Sequence, residues 1–99
     1  MEVTYEIVAT VEAHLCSEYE TFMRERHIPD LIATGSFVSA TLERSRPGRY
    51  RVRYVTSSQE ALDNYLEQHA PLLRSDFSRR FPTGIDVSRE EWTLVEHFA

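Results

Sequence analysis

Ninety-nine residues, 41% of them hydrophobic and 11% aromatic, suffice for one domain (1–99) with an ordinary core and leave no room for a second one. A formal charge of −5, with eleven arginines and no lysine, excludes a general affinity for nucleic acid, which depends on cationic side chains releasing counterions from phosphates. The apolar runs are too short for a membrane span, the N-terminus alternates like a strand instead of a secretion signal, and a lone Cys16 has no internal disulfide partner, which fits a reducing cytoplasm.

Val3 to Glu12 alternates, with Val3, Tyr5, Ile7, Ala9 and Val11 on one side and Thr4, Glu6, Thr10 and Glu12 on the other, which predicts a strand with one buried face. Leu15, Tyr19, Phe22 and Met23 then recur at spacings of three and four. They predict a helix from about His14 to His27, with Glu18, Glu20, Arg24 and Glu25 on its wet side. Ser17 and Glu20 have capping-box spacing, but Leu15 extends the stripe one turn earlier, so the helix is placed to start before Ser17.

The stretch His27-Ile-Pro-Asp-Leu-Ile-Ala-Thr-Gly-Ser-Phe37 reads as a corner. Pro29 pushes Ile28 out of the helical region, so a break is expected between Ile28 and Pro29, with Pro29 opening a short new helical turn. Gly35 supplies a left-handed terminator, and Phe37 begins a run of strand composition.

Phe37 to Ser45 and Tyr50 to Thr56 form a hairpin around Arg46-Pro47-Gly48-Arg49, because Pro-Gly is a strong turn signal. A two-residue loop pairs Leu42 with Arg53, and a three-residue loop pairs Leu42 with Tyr54. The second is preferred, since it keeps Val38, Ala40, Leu42, Val52 and Tyr54 on one face. Ser57 and Glu60 form a capping box before a helix carrying Ala61, Leu62, Tyr65, Leu66 and His69. Pro71 is expected to kink or restart that helix, and Leu72, Leu73, Phe77 and Phe81 carry it to about Arg80. After the turn Pro82-Thr83-Gly84, Glu91 to Phe98 alternates again. This predicts a fourth strand with Trp92, Leu94 and Phe98 on one face and Thr93, Val95 and His97 on the other.

Strand, helix, strand, strand, helix, strand is the ferredoxin-like α+β arrangement: a four-stranded antiparallel sheet of order 4-1-3-2 with two helices on one face. The other face is expected to present Thr4, Glu6, Val8, Thr10, Arg51, Arg53, Val55, Thr93, Val95 and His97. A two-fold axis would set Glu6 of one copy against Arg51 or Arg53 of another, so a homodimer through the sheet is expected.

Two histidines stand two residues before a proline, in His27-Ile28-Pro29 and His69-Ala70-Pro71. Antiparallel helices would separate these equivalent positions by about 18 Å, too far to share a metal ion; no metal site and no cofactor are expected. Each imidazole has a structural reading as a partner for the free carbonyls at a helix end. Each is also a candidate base, His27 with Asp30 as its orienting carboxylate. Tyr5, Tyr50, Tyr54 and Tyr65 with Trp92 read first as core and alternatively as the lining of a small-molecule pocket. The ligand-binding candidates are His27, Tyr54 and His69, and the catalytic candidates are His27 and His69. No nucleophile elbow, phosphate loop, Cys-x-x-Cys or His-Glu-x-x-His is present.

The corner from His27 to Phe37, the segment Glu67-Gln-His-Ala-Pro-Leu-Leu-Arg74 and the pair Arg80-Phe81 resemble the bacterial family known as domain of unknown function 4286. The resemblance covers nearly the whole chain. It implies a small cytoplasmic protein similar to the dimeric α+β barrel superfamily, with no established activity. That superfamily includes cofactor-independent monooxygenases, small isomerases and haem-degrading proteins, and any such function would come by analogy of fold alone. The haem-degrading set of asparagine, tryptophan and histidine does not map onto a histidine at the right helix position. The leading expectation is a homodimeric small-molecule-binding domain with a pocket near His27, Tyr54 or His69. The alternatives are a cofactor-independent oxygenase or isomerase acting on an aromatic or polyketide-like substrate, with His27 or His69 as base, and a structural or regulatory interaction module.

Overall fold

In the computed structural model, which describes residues 1–99, the elements follow the expected order. They are β1 (Val3–Val11), a 3-10 turn (Ala13–Leu15), α1 (Cys16–Phe22), a π-helical turn (Met23–His27), α2 (Ile28–Ala33), β2 (Ser39–Arg46), β3 (Arg49–Thr56), α3 (Gln59–Gln68), α4 (Ala70–Arg80) and β4 (Ile85–Thr93). The sheet is antiparallel throughout, in the order β2-β3-β1-β4, which is the ferredoxin-like order expected. The inner face contributes Tyr5, Ala9, Val11, Tyr50, Val52 and Tyr54 to the core, and the helices contribute Tyr19, Phe22, Met23, Leu31, Leu62, Tyr65, Ala70 and Phe81. No helix is long and apolar enough to cross a membrane.

The corner at Pro29 is built differently from the expectation. Ile28 is helical (φ −64, ψ −46), and its N–H donates to the Met23 carbonyl five residues back. The expected break between Ile28 and Pro29 is therefore absent. A proline inside a helix removes one donor and crowds the carbonyl four residues earlier. The wider π turn just upstream accommodates that crowding without unwinding the helix. Gly35 at φ +80 ends α2 as expected, with its N–H donating to Ile32 O at 3.1 Å.

The hairpin pairs Leu42 with Val52 and Ala40 with Tyr54, two residues away from the preferred register. An even shift keeps every side chain on its face, so Ala40, Leu42, Val52 and Tyr54 lie toward the core as expected despite the wrong partner, whereas Val38 precedes the strand and is exposed. The cause is a register shift between Arg44 and Arg46 that leaves Ser45 without a cross-strand partner, a bulge that lengthens one strand by a residue.

The fourth strand is Ile85–Thr93, not Glu91–Phe98. Trp92 lies opposite Thr4 on the outer face, and Thr93 lies opposite Val3 on the inner side, which reverses the predicted phase. An edge strand that pairs along the whole of β1 takes its position from backbone hydrogen bonds. Its sequence, IDVSREEWT, needs little alternation because most of its side chains are exposed. Beyond it, Leu94 N–H still donates to Glu2 O at 2.9 Å, while Val95 and Phe98 are exposed.

The second helical half restarts at Pro71 as expected, with His69 the single residue out of helical geometry (φ −121, ψ −38) between α3 and α4. The N-cap of α3 is Ser58, one residue later than the predicted capping box; its side chain accepts from the Ala61 N–H at 3.1 Å. Ser58→Ala should therefore lower stability by about 1 kcal/mol in urea unfolding, and Ser57→Ala by about zero.

Candidate functional site

The interior aromatic rings fall into two groups. Tyr5, Phe37, Tyr54, Tyr65 and His69 form one. Tyr19, Phe22, His27, Tyr50, Phe77 and Phe81 form the other. Tyr54 and His69 thus share a group, and His27 lies in the other, as antiparallel helices require.

His27 is the last residue of the π turn and is buried, stacked on Phe22 at 5.7 Å and edge-on to Phe77 at 5.5 Å. Burial depresses its imidazole pKa to about 4, against the opposing pull of Asp76 and Asp30 and with a small further depression from Arg89 and Arg26. Asp76 is itself paired with Arg26 at 2.6 Å. Asp30 makes no hydrogen bond to the ring, and Nδ1 is buried without a partner. His27 is consequently neutral at pH 7, with a free nitrogen in an apolar setting and no orienting carboxylate.

Tyr54 is fully buried, and its hydroxyl has no partner; the same is true of Thr56 Oγ1, two residues along the same face of β3. Burial, reinforced by Tyr65, Tyr19 and Tyr5, holds the Tyr54 phenol protonated far above the ordinary tyrosine range. Next to it, the Tyr5 hydroxyl accepts from Arg74 Nη2 at 2.9 Å. Arg74 and Arg89 both act on Tyr65, and neither has a carboxylate partner. His69 stacks on Tyr65 at 6.3 Å.

A second polar centre, missed in the sequence, lies at the hairpin. The Glu20 carboxylate accepts from Tyr50 OH at 2.6 Å, from Arg44 at 3.0 Å and from Arg24 at 3.3 Å. These partners, the tyrosine hydroxyl foremost, hold its pKa below the usual carboxylate value. The group stands at the edge of a cleft of about 710 Å³ between the hairpin tip and the first helical residues. Periodicity placed Glu20 on the wet side of its helix, which is correct, but the bulge that brings Arg44 and Tyr50 to it has no local sequence signature.

On the outer sheet face Glu6 pairs with Arg53 at 3.6 Å and Glu43 with Arg51 at 2.8 Å, so these charges are satisfied within the chain. Arg49 and Asp86, both opposite Thr10, and Glu90 have no ion pair, and Trp92 is 49% exposed. No three His, Cys, Asp or Glu side chains gather closely enough to hold a metal ion.

The model of the family described as Domain of unknown function (DUF4286) matches residues 2–95; the chain belongs to this family. No curated protein matches the sequence. Among solved structures, SnoaB from Streptomyces nogalater, a cofactor-independent oxygenase, superposes with a TM-score of 0.76 at 22% identity, covering 97% of this chain and 95% of that one. Rv0793 from Mycobacterium tuberculosis gives 0.70 at 15% identity over the full length of both chains. The heme-degrader MhuD from the same organism gives 0.71 at 19% identity, over 98% of this chain and 99% of that one. At these identities the likeness is one of fold.

Proposed function

We propose that this member of the family is a homodimeric, cytoplasmic small-molecule-binding domain, whose ligand lodges between helices and sheet, either beside Tyr54 and His69 or beside His27. The observation that carries the reading is the set of three buried polar atoms without partners, His27 Nδ1, Tyr54 OH and Thr56 Oγ1. Each such atom costs about 1–3 kcal/mol, and native cores rarely leave them unpaired. A ligand with an apolar body and a few hydrogen-bonding groups recovers that loss, and the aromatic walls suit such a body. The dimer reading rests on the outer sheet face, where Arg49, Asp86 and Glu90 are unpaired and Trp92 is exposed; a two-fold axis makes such a patch complementary to itself. Native mass spectrometry of protein purified from its own host is expected to show a dimer carrying a small organic molecule. A bare monomer overturns both parts of the reading.

A second reading, a cofactor-independent oxygenase or isomerase acting on an aromatic or polyketide-like substrate, is favoured by the state of His27. An imidazole that is neutral at pH 7 and has an unpartnered nitrogen can accept a proton, and burial makes it a weaker base than an exposed histidine. Oxygen uptake with a panel of polycyclic phenols, abolished in His27→Ala or His69→Ala variants that remain folded, supports it; two variants that lose only stability remove it.

A further inference from the structure

None of His27, Tyr54, Thr56 and His69 lines the hairpin cleft; it meets the ring group of His27 through Tyr50, which packs on Tyr19. Its walls are the hairpin tip, with Arg44, Ser45, Arg46, Pro47 and Gly48, and the start of the first helical segment, with Ala13 and Cys16; Val11 and Tyr50 also line it. The donors and acceptors here are unequal. Glu20 is the single carboxylate on the lining, and it is already engaged: Oε1 accepts from Arg24, and Oε2 accepts from both Arg44 and Tyr50. A guanidinium carries five N–H donors. Arg44 directs one of them to Glu20, and Arg46 forms no ion pair at all. Ser45 stands at the register shift without a cross-strand partner, so its polar groups also border the cleft outside the regular ladder. On a chain of net charge −5 this is a concave surface with two arginines against one carboxylate, and that carboxylate is already paired.

We propose that this cleft binds the carboxylate of a small organic acid. Arg46 and the free donors of Arg44 hold the anion, and Val11, Ala13 and Pro47 take the apolar body. The Glu20–Tyr50 hydrogen bond fixes Arg44 from behind, so the guanidinium is presented with little loss of side-chain freedom on binding. Glu20 and Tyr50 are positioning residues, and Arg46 is the ligand's direct partner. A guanidinium facing a carboxylate makes charge-assisted and frequently bidentate hydrogen bonds.

The test is a titration of the 15N-labelled full chain with benzoate, and in parallel with inorganic phosphate and with neutral benzamide. Benzoate is expected to move the amides of Ala13, Ser45, Arg46 and Gly48 with a saturable response, and benzamide to leave them in place. Arg46→Gln is expected to weaken benzoate about tenfold, the equivalent of one hydrogen bond to a charged group. The Arg46 side chain makes no ion pair, and glutamine keeps its backbone pairing with Arg49, so this variant should fold normally. Arg79→Gln, which removes another arginine without an ion pair, should leave the affinity unchanged. The proposal is overturned by equal responses to benzamide and benzoate, by a response to phosphate alone, by an unchanged affinity in Arg46→Gln, or by shifts spread equally over Arg79 and the hairpin.

Discussion

Lowering the pH from 6.5 to about 4 is expected to remove about 3 kcal/mol of folding stability from the wild-type chain through His27 alone, and a His27→Phe variant should keep it. In the unfolded chain the imidazole takes up a proton near its ordinary value of 6.5, whereas in the folded chain it resists until about 4. Between these two values the unfolded state holds more protons, so stability falls as the pH falls, and below about 4 this contribution levels off. Above pH 6.5 both states are neutral, and the full stability is present. The charged groups that act on the ring are Asp76 on α4, Asp30 on α2, Arg89 on β4 and the adjacent Arg26; burial outweighs the two aspartates, and the two arginines act in the same direction as burial. Glu20 also favours the folded state above its unfolded pKa and loses that effect in acid, but it does so in both proteins and drops out of the difference. Urea unfolding at pH 7, 5.5 and 4.5 measures the effect. The two proteins should lie within about 1 kcal/mol of each other at pH 7, since Phe fits the ring cluster of Phe22 and Phe77, and the variant should become the more stable one in acid. Parallel pH curves would show that the imidazole is solvated instead of buried.

The same residue shows where the sequence was legible and where it was not. Period-two and period-three-to-four patterns found β1, the two helical halves and the strands of the hairpin, and handedness of the crossovers then gave the sheet order, because those signals are produced by the burial that makes the fold. Features set by long-range backbone pairing were not legible. The phase of β4 follows from β1, not from its own side chains. The hairpin register follows from a bulge at Ser45 that no residue type announces. Pro29 promised a break, and a wider turn at Met23–His27 absorbed it instead. For the candidate site, residue types pointed to His27, Tyr54 and His69. Only the packing shows which of their polar atoms are left alone, and that Arg44 and Tyr50, 24 and 30 residues from Glu20 in sequence, form one network with it.

Replacing the two unpartnered hydroxyls on β3, in a Tyr54→Phe, Thr56→Val double variant, is expected to stabilise the ligand-free chain by about 2–4 kcal/mol, since each buried donor without a partner costs about 1–3 kcal/mol. Most substitutions at fully buried positions destabilise, because they open cavities or break paired groups. Here the shape is nearly retained, both side chains are fully buried, and neither hydroxyl has anything to lose. A core that is made more stable by removing its own polar atoms retains them against its stability, as binding sites do. The double variant should therefore melt higher than wild type when stripped of small molecules and should lose the molecule that co-purifies with the wild-type protein. If instead it is destabilised, the hydroxyls have partners in solution and the interior is an ordinary core. If it is stabilised and still carries the molecule, the ligand lies elsewhere, and the hairpin cleft becomes the place to look, which the benzoate titration decides independently of the interior.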